Sequence, residues 1–137
     1  MAEADPSQIP LEQRRPLSPH VQIYQWSPTM AVSIAHRLTG IALYVGTLGL
    51  AAYLLAAAGN ARSFQTASAL LGSFIGQLIL FGYTFALMLH AMGGIRHIIW
   101  DAGHGFDPEA RDKLAWGSLV GAGALTVLIW IAVFILR

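Results

Sequence analysis

Polar and apolar positions are segregated along this chain rather than interleaved. Three stretches, 38–61, 63–95 and 114–136, contain no Asp, Glu, Lys or Arg over 24, 33 and 23 residues. A bilayer hydrocarbon core about 30 Å thick takes roughly 20 helical residues. The pattern therefore predicts an all-α membrane protein with three transmembrane helices, near 30–58, 64–98 and 114–136. The second stretch is longer than the core requires, which implies a tilted helix or one that projects into water. These helices make 30–137 a single three-helix transmembrane domain, preceded by a polar N-terminal tail and interfacial segment, 1–29. Residues 1–15 are polar, with no basic start followed by an apolar core, the pattern of neither a signal peptide nor a typical transit peptide. Between 16 and 28 the prolines frame turns, and the aromatics Tyr24 and Trp26 suit the headgroup zone.

Composition sharpens this reading. Charged residues are 11% of the 137, against about 25% in soluble domains. The 80 residues of the three stretches carry none of the 15 charges, so the remaining 57 have ordinary aqueous composition. So short a chain, mostly in lipid, has no room for a nucleotide-binding domain, and flavin or dinucleotide chemistry falls to a partner. The absence of cysteine excludes disulfides, thiolate nucleophiles, iron–sulfur ligation and covalently attached c-type haem, leaving histidine as the obvious metal ligand. A net charge of +1 gives no reason to expect nucleic acid as a partner. Orientation follows from the cations. Arg14, Arg15, Arg37, Arg96, Arg111 and Lys113 lie at one side and only Arg62 and Arg137 at the other, which predicts the N-terminus and the 99–113 loop inside and the C-terminus outside. Gly72 with Gly76 and Gly117 with Gly121 have the spacing of close helix–helix approach, although glycine is also simply common in membrane helices.

Candidate chemistry is confined to two clusters at the ends of the apolar stretches: Ser33-Ile34-Ala35-His36-Arg37-Leu38-Thr39-Gly40, and His90-Ala91-Met92-Gly93-Gly94-Ile95-Arg96-His97 followed by Asp101. Ionisable residues within a membrane helix are costly and generally functional. Arg37 stands at the edge of its apolar stretch, whereas His90 precedes Arg96 by six residues and so lies about 9 Å deeper. An imidazole at that depth either ligates a metal or hydrogen-bonds a neighbouring helix. The nearby Gly93 and Gly94 would give a flat cofactor room against the backbone. A haem suits this geometry, with iron at the level of His90 and propionates reaching toward His36 and Arg37, whose planar fork matches a carboxylate. His97, two turns after His90 on the same face, cannot ligate the opposite side of the same iron. His97 and Arg96 therefore line the headgroup zone, contact a propionate, or form a solvated helix end, and Asp101 caps that end or pairs with Arg96. Neither His20 nor His104 has an assignable role.

Ser33 and Arg37 share a helix face, and Trp26 and Met30 precede them at spacings of four and three. The resulting stripe offers an aromatic, a soft apolar group, a hydroxyl and a cation. It could serve a lipid-soluble ligand with polar oxygens, such as a quinone, or act as an interfacial anchor with a snorkelling arginine.

These clusters, with Arg15-Pro16-Leu17-Ser18-Pro19-His20 and Ile23-Tyr24 before them, resemble the cytochrome b556 membrane-anchor subunits of succinate dehydrogenase, respiratory complex II. The resemblance runs from about Arg15 to Asp101. It implies three helices packed into a heteromeric helical bundle with a second small anchor subunit. It implies that His90 is an axial ligand to haem b, the other ligand coming from that second anchor. His36 and Arg37 match positions near the haem propionates, Ser33 and Arg37 match ubiquinone-site residues, and Trp26, Met30 and Ile34 match further quinone-pocket positions. FAD and iron–sulfur clusters would belong to a flavoprotein and an iron–sulfur partner, with no succinate chemistry in this chain. The lack of a transit-like start favours a bacterial inner membrane over a mitochondrial one, and the cation count then puts the N-terminus on the cytoplasmic side and the C-terminus on the periplasmic side. A haem-free structural anchor, a fumarate reductase anchor working in reverse and a proton-relaying transporter component are the competing readings.

Overall fold

The computed structural model describes residue 10 and residues 24–136; the tail 1–9, most of the segment up to 23, and Arg137 lie outside the described residues, and with them Arg14, Arg15 and His20. Four helices follow in order: α1 Pro28–Ala58, α2 Ala61–Gly72, α3 Phe74–Asp101 and α4 Pro108–Leu136. Three of them, α1, α3 and α4, are long and apolar enough to cross a membrane.

Local chemistry sets the boundaries. Ser27 caps α1, its hydroxyl accepting from the Met30 N–H at 3.3 Å, and Pro28 fills the first helical position, where a missing N–H costs nothing. Trp26 therefore precedes the helix instead of extending the Met30–Ser33–Arg37 stripe along it. The turn to α2 is held by a capping box in which Asn60 accepts from Ser63 N at 3.0 Å and Ser63 Oγ accepts from Asn60 N at 3.2 Å.

The single helix expected over 64–98 is divided at Ser73. This residue is extended, with ψ 160°, and its hydroxyl donates to Leu70 O at 2.7 Å while accepting from Gly76 N at 3.1 Å. Ser73 thus ends one helix and caps the next, and Gln77 Nε2 seals the joint by donating to Leu71 O at 2.9 Å. Gly76 is required there because a Cβ would run into the Leu70 and Leu71 backbone. Its pairing with Gly72 is consequently a feature of this break and not a helix–helix seam.

The core is a narrow stripe of small residues. Its buried positions are Ala86, Leu89, Gly93 and Arg96 on α3, Ala115, Ser118, Ala122 and Thr126 on α4, and Val32 on α1. Small side chains let the helices approach closely, the usual source of association energy where burial from water gives none. Ser118 and Thr126 return their hydroxyl protons to Leu114 O and Ala122 O, both at 2.7 Å, and so leave no donor unmet. Of the Gly117/Gly121 pair, only Gly121 meets α3, where Met92 packs on it; nothing lies within 4 Å of a Cβ at Gly117.

Thr29 Oγ1 donates to Asp112 Oδ1 at 3.0 Å and thereby joins the first turns of α1 and α4. The start of α1, the end of α3 and the start of α4 thus lie together at one end of the bundle. The tight link from α3 to α4 uses Gly103 and Gly105, whose positive φ of 82° and 76° side chains rarely adopt, and Trp100 Nε1 closes it by donating to Gly105 O at 3.2 Å.

Candidate haem and quinone end of the bundle

Two glycines bring the first histidine pair together. A Cβ at Gly93 would strike the His36 ring, and a Cβ at Gly40 would stand 3.2 Å from His90 Cε1. With neither present, His36 of α1 and His90 of α3 stack at 4.1 Å between ring centroids and only 8° from parallel.

Each ring also bonds the backbone of the other residue. His90 Nδ1 lies 3.2 Å from His36 O, and His36 Nε2 lies 3.2 Å from His90 O. A carbonyl only accepts, so both of those nitrogens carry protons and donate. This fixes the tautomers: the His90 lone pair is on Nε2 and the His36 lone pair on Nδ1. Thr39 reinforces the arrangement. Its hydroxyl donates to His36 O at 2.8 Å, and its oxygen lies 3.5 Å from His90 Nδ1.

This donor set suits a haem-type ligand. Metal-binding histidines characteristically give the second ring N–H to a carbonyl or carboxylate, which orients the ring. The Nε2 lone pair of His90 lies in the ring plane, so the stacked His36 face does not obstruct it. Among the described residues no three His, Asp or Glu side chains converge into a closed metal site. A metal bound through His90 would therefore take its other ligands from elsewhere, as the iron of a porphyrin does.

The remaining predicted residues lie on α1, on α3 and just before α1. His97 is exposed, with its ring 5.5 Å from His36 and 5.3 Å edge-on to Trp100. Arg37 is exposed, and Ser33, one turn before it, is half-buried. Met30 and Ile34 are exposed on the same flank of α1. Trp26 is 66% exposed and reaches this flank indirectly: Tyr24 packs edge-on to it at 6.2 Å and donates its hydroxyl to Met30 Sδ at 3.1 Å.

Arg96 departs from the expectation of a helix end at the headgroups. It is 1% exposed, and none of its three guanidinium nitrogens has a hydrogen-bond partner among the described residues. Its Cζ lies 5.0 Å from the centre of the Trp100 ring. Asp101 is exposed and forms no pair with it; the ion pair among the described residues is Lys113–Glu109 at 2.7 Å. The burial was legible in the spacing, since Ala86, Leu89, Gly93 and Arg96 recur at three and four residues and so line one face. His104, on the exposed link, donates from Nδ1 to Ala102 O at 2.7 Å and shapes that turn.

These features define a class: a three-span helical membrane protein that presents a tautomer-fixed histidine at one end of its bundle. The model of the succinate dehydrogenase/fumarate reductase transmembrane subunit family matches residues 12–133. The chain is 36% identical over 121 residues to the succinate dehydrogenase cytochrome b556 subunit of Paracoccus denitrificans, covering 88% of this chain and 93% of that one. It is similarly 34% identical over 118 residues to the cytochrome b556 subunit of Rickettsia felis, covering 86% and 92%. Identity to the mitochondrial cytochrome b560 subunit of Sus scrofa is 47% over 97 residues, 69% of this chain and 57% of that longer one. The chain belongs to the succinate dehydrogenase/fumarate reductase transmembrane subunit family. It is a membrane-anchor subunit of the cytochrome b type within an enzyme complex whose catalysis lies in partner subunits.

Proposed function

We propose that this chain holds haem b through His90 Nε2 and forms part of the ubiquinone-reducing site of a succinate:ubiquinone oxidoreductase. The observation that carries the reading is the commitment of His90 Nδ1 to the His36 carbonyl, which leaves the Nε2 lone pair free on a histidine about three turns inside the helix end. A further protein ligand would come from another small anchor subunit. Bound there, haem b supplies a one-electron carrier at the level of His90.

The chain's own residues bind and orient. His36, Arg37 and His97 stand at the membrane edge as cationic or hydrogen-bonding partners for propionates. Ser33 and Arg37 hold quinone oxygens, with the hydroxyl as donor and the guanidinium as fixed positive charge against the charge that develops on reduction. Trp26, Met30 and Ile34 form the apolar wall. Electrons reach this end from an iron–sulfur partner, itself fed by a flavoprotein that oxidises succinate. The inner membrane of a bacterium, with the N-terminus on the cytoplasmic side, fits the distribution of cations.

The test is His90→Ala in the purified complex, read by a reduced-minus-oxidised spectrum. Loss of the b-type band with the subunits still assembled is the expected result. A full complement of low-spin haem in that variant refutes the assignment.

A further inference from the structure

One edge of the His90 ring is met by a single turn of α1. Gly40 lacks a Cβ that would stand 3.2 Å from Cε1 and 3.6 Å from Nδ1, so the ring edge reaches the helix surface. Two oxygens of the same turn then face Nδ1: His36 O at 3.2 Å and Thr39 Oγ1 at 3.5 Å. Of the two, only the carbonyl is within ordinary hydrogen-bond range.

The Thr39 hydroxyl acts on that same carbonyl. It donates to His36 O at 2.8 Å, a shorter contact than that of His90. A threonine in a helix can hold this rotamer because its Oγ1 reaches the carbonyl three or four residues back. In an unbroken helix His36 O also receives the N–H of Gly40, four residues on. A carbonyl oxygen has two lone pairs, so three donors share them. The contact from His90 is the longer of the two side-chain contacts and is the one that the Thr39 proton weakens.

We propose that Thr39 is a positioning residue for His90: its hydroxyl proton limits how far His36 O draws on the Nδ1 proton, and so how strongly Nε2 donates to a metal. The inference rests on the reading of His90 as a haem ligand, and it gives Thr39 no contact with haem or quinone. The group bonded to the second nitrogen of a ligating histidine tunes the ligand as well as orienting it. The more fully a carbonyl accepts the Nδ1 proton, the more electron density Nε2 offers and the more the higher-charged state of a bound metal is stabilised. Without the hydroxyl proton, His36 O accepts from His90 more fully.

Redox titration of the b-type band in the intact purified complex tests this. Thr39→Val has the same shape without the hydroxyl. It is expected to raise the oxidised-to-reduced ratio at a given potential about threefold, a shift of about 30 mV to more negative potential at about 59 mV per tenfold. Thr39→Ser keeps the hydroxyl and is expected to titrate as the wild type. Thr47→Val controls for loss of a helix back-bond alone: Thr47 donates to Tyr44 O at 2.6 Å in the same pattern on the same helix, a carbonyl to which no histidine donates among the described residues. It is expected to leave the titration unchanged. Thr39→Ala takes the place of Thr39→Val if the valine variant fails to assemble. An unchanged potential without the Thr39 hydroxyl overturns the proposal and leaves His90 as the ligand. A shift to more positive potential overturns it too, since the hydroxyl would then be an acceptor from Nδ1. Full low-spin haem in His90→Ala refutes the ligand reading itself, and the role of Thr39 with it.

Discussion

Gly93→Ala and Gly94→Ala are adjacent, chemically identical changes with opposite expected outcomes. A Cβ at Gly94 meets nothing within 4 Å, whereas at Gly93 it would overlap the His36 ring, standing 2.8 Å from Nε2 and 3.0 Å from Cγ as well as against Cδ2. Because the overlap extends to Cγ, the ring cannot escape by turning its far end; α1 and α3 must separate or His36 must change rotamer. Overpacking of this kind costs about 1–3 kcal/mol. Loss of the His36 Nε2–H bond to His90 O adds about 1 kcal/mol, and alanine's better helix propensity returns about 1 kcal/mol. The net penalty at Gly93 is about 1–3 kcal/mol, and Gly94→Ala is neutral or slightly stabilising. Thermal unfolding of the purified complex, followed by tryptophan fluorescence and in parallel by the b-type absorbance band, gives both readouts. Gly93→Ala is expected to lower the midpoint by several degrees and to broaden or shift the band, because the same contact orients His90. Equal midpoints and spectra for the two variants would refute the reasoning that the His36–His90 stack depends on that glycine.

The break before α3 and the Ser33–Arg37 flank of α1 give two further expectations. Ser73→Ala removes the side chain that accepts from Gly76 N and so lowers stability by about 1 kcal/mol, measurable as a shift in the same unfolding midpoint, while Thr66→Ala, whose hydroxyl only returns to Arg62 O within α2, leaves it unchanged. Ser33→Ala and Arg37→Ala are expected to lower succinate:quinone activity at least tenfold while succinate oxidation with a soluble artificial acceptor persists; equal loss of both activities would indicate failed assembly in place of a damaged quinone site.

Charge depletion made the crossing helices legible because its physical origin, the cost of a charge in hydrocarbon, acts on every residue of a span. The same signal carries no information about a backbone break inside an uncharged stretch. Ser73 interrupts the helix through one hydroxyl that makes two local hydrogen bonds, and a serine in a long apolar run reads equally well as a helix residue. At the candidate site, the depth of His90 followed from counting residues, but its tautomer did not, since that depends on which carbonyl of a different helix reaches Nδ1. The burial of Arg96 was available from periodicity. It was obscured because an arginine near a helix end is usually solvated, and position along the helix outweighed position around it.

Position around the helix is what separates the polar side chains at the end of α3. His90 and His97 differ by about 20° in azimuth and meet α1, while Arg96 lies about 120° away and meets α4. The three-residue and seven-residue spacings in this segment thus divide one helix end into a histidine face and an arginine face, each turned to a different neighbour. Gly93 serves the first by admitting His36. On the second, α4 presents the small buried residues Ala115 and Ser118. A lesion on one face should therefore leave the other standing: Gly93→Ala disturbs the stacked histidines and with them the b-type spectrum, whereas Gly121→Ala, whose Cβ meets the flexible end of Met92, leaves that spectrum unchanged.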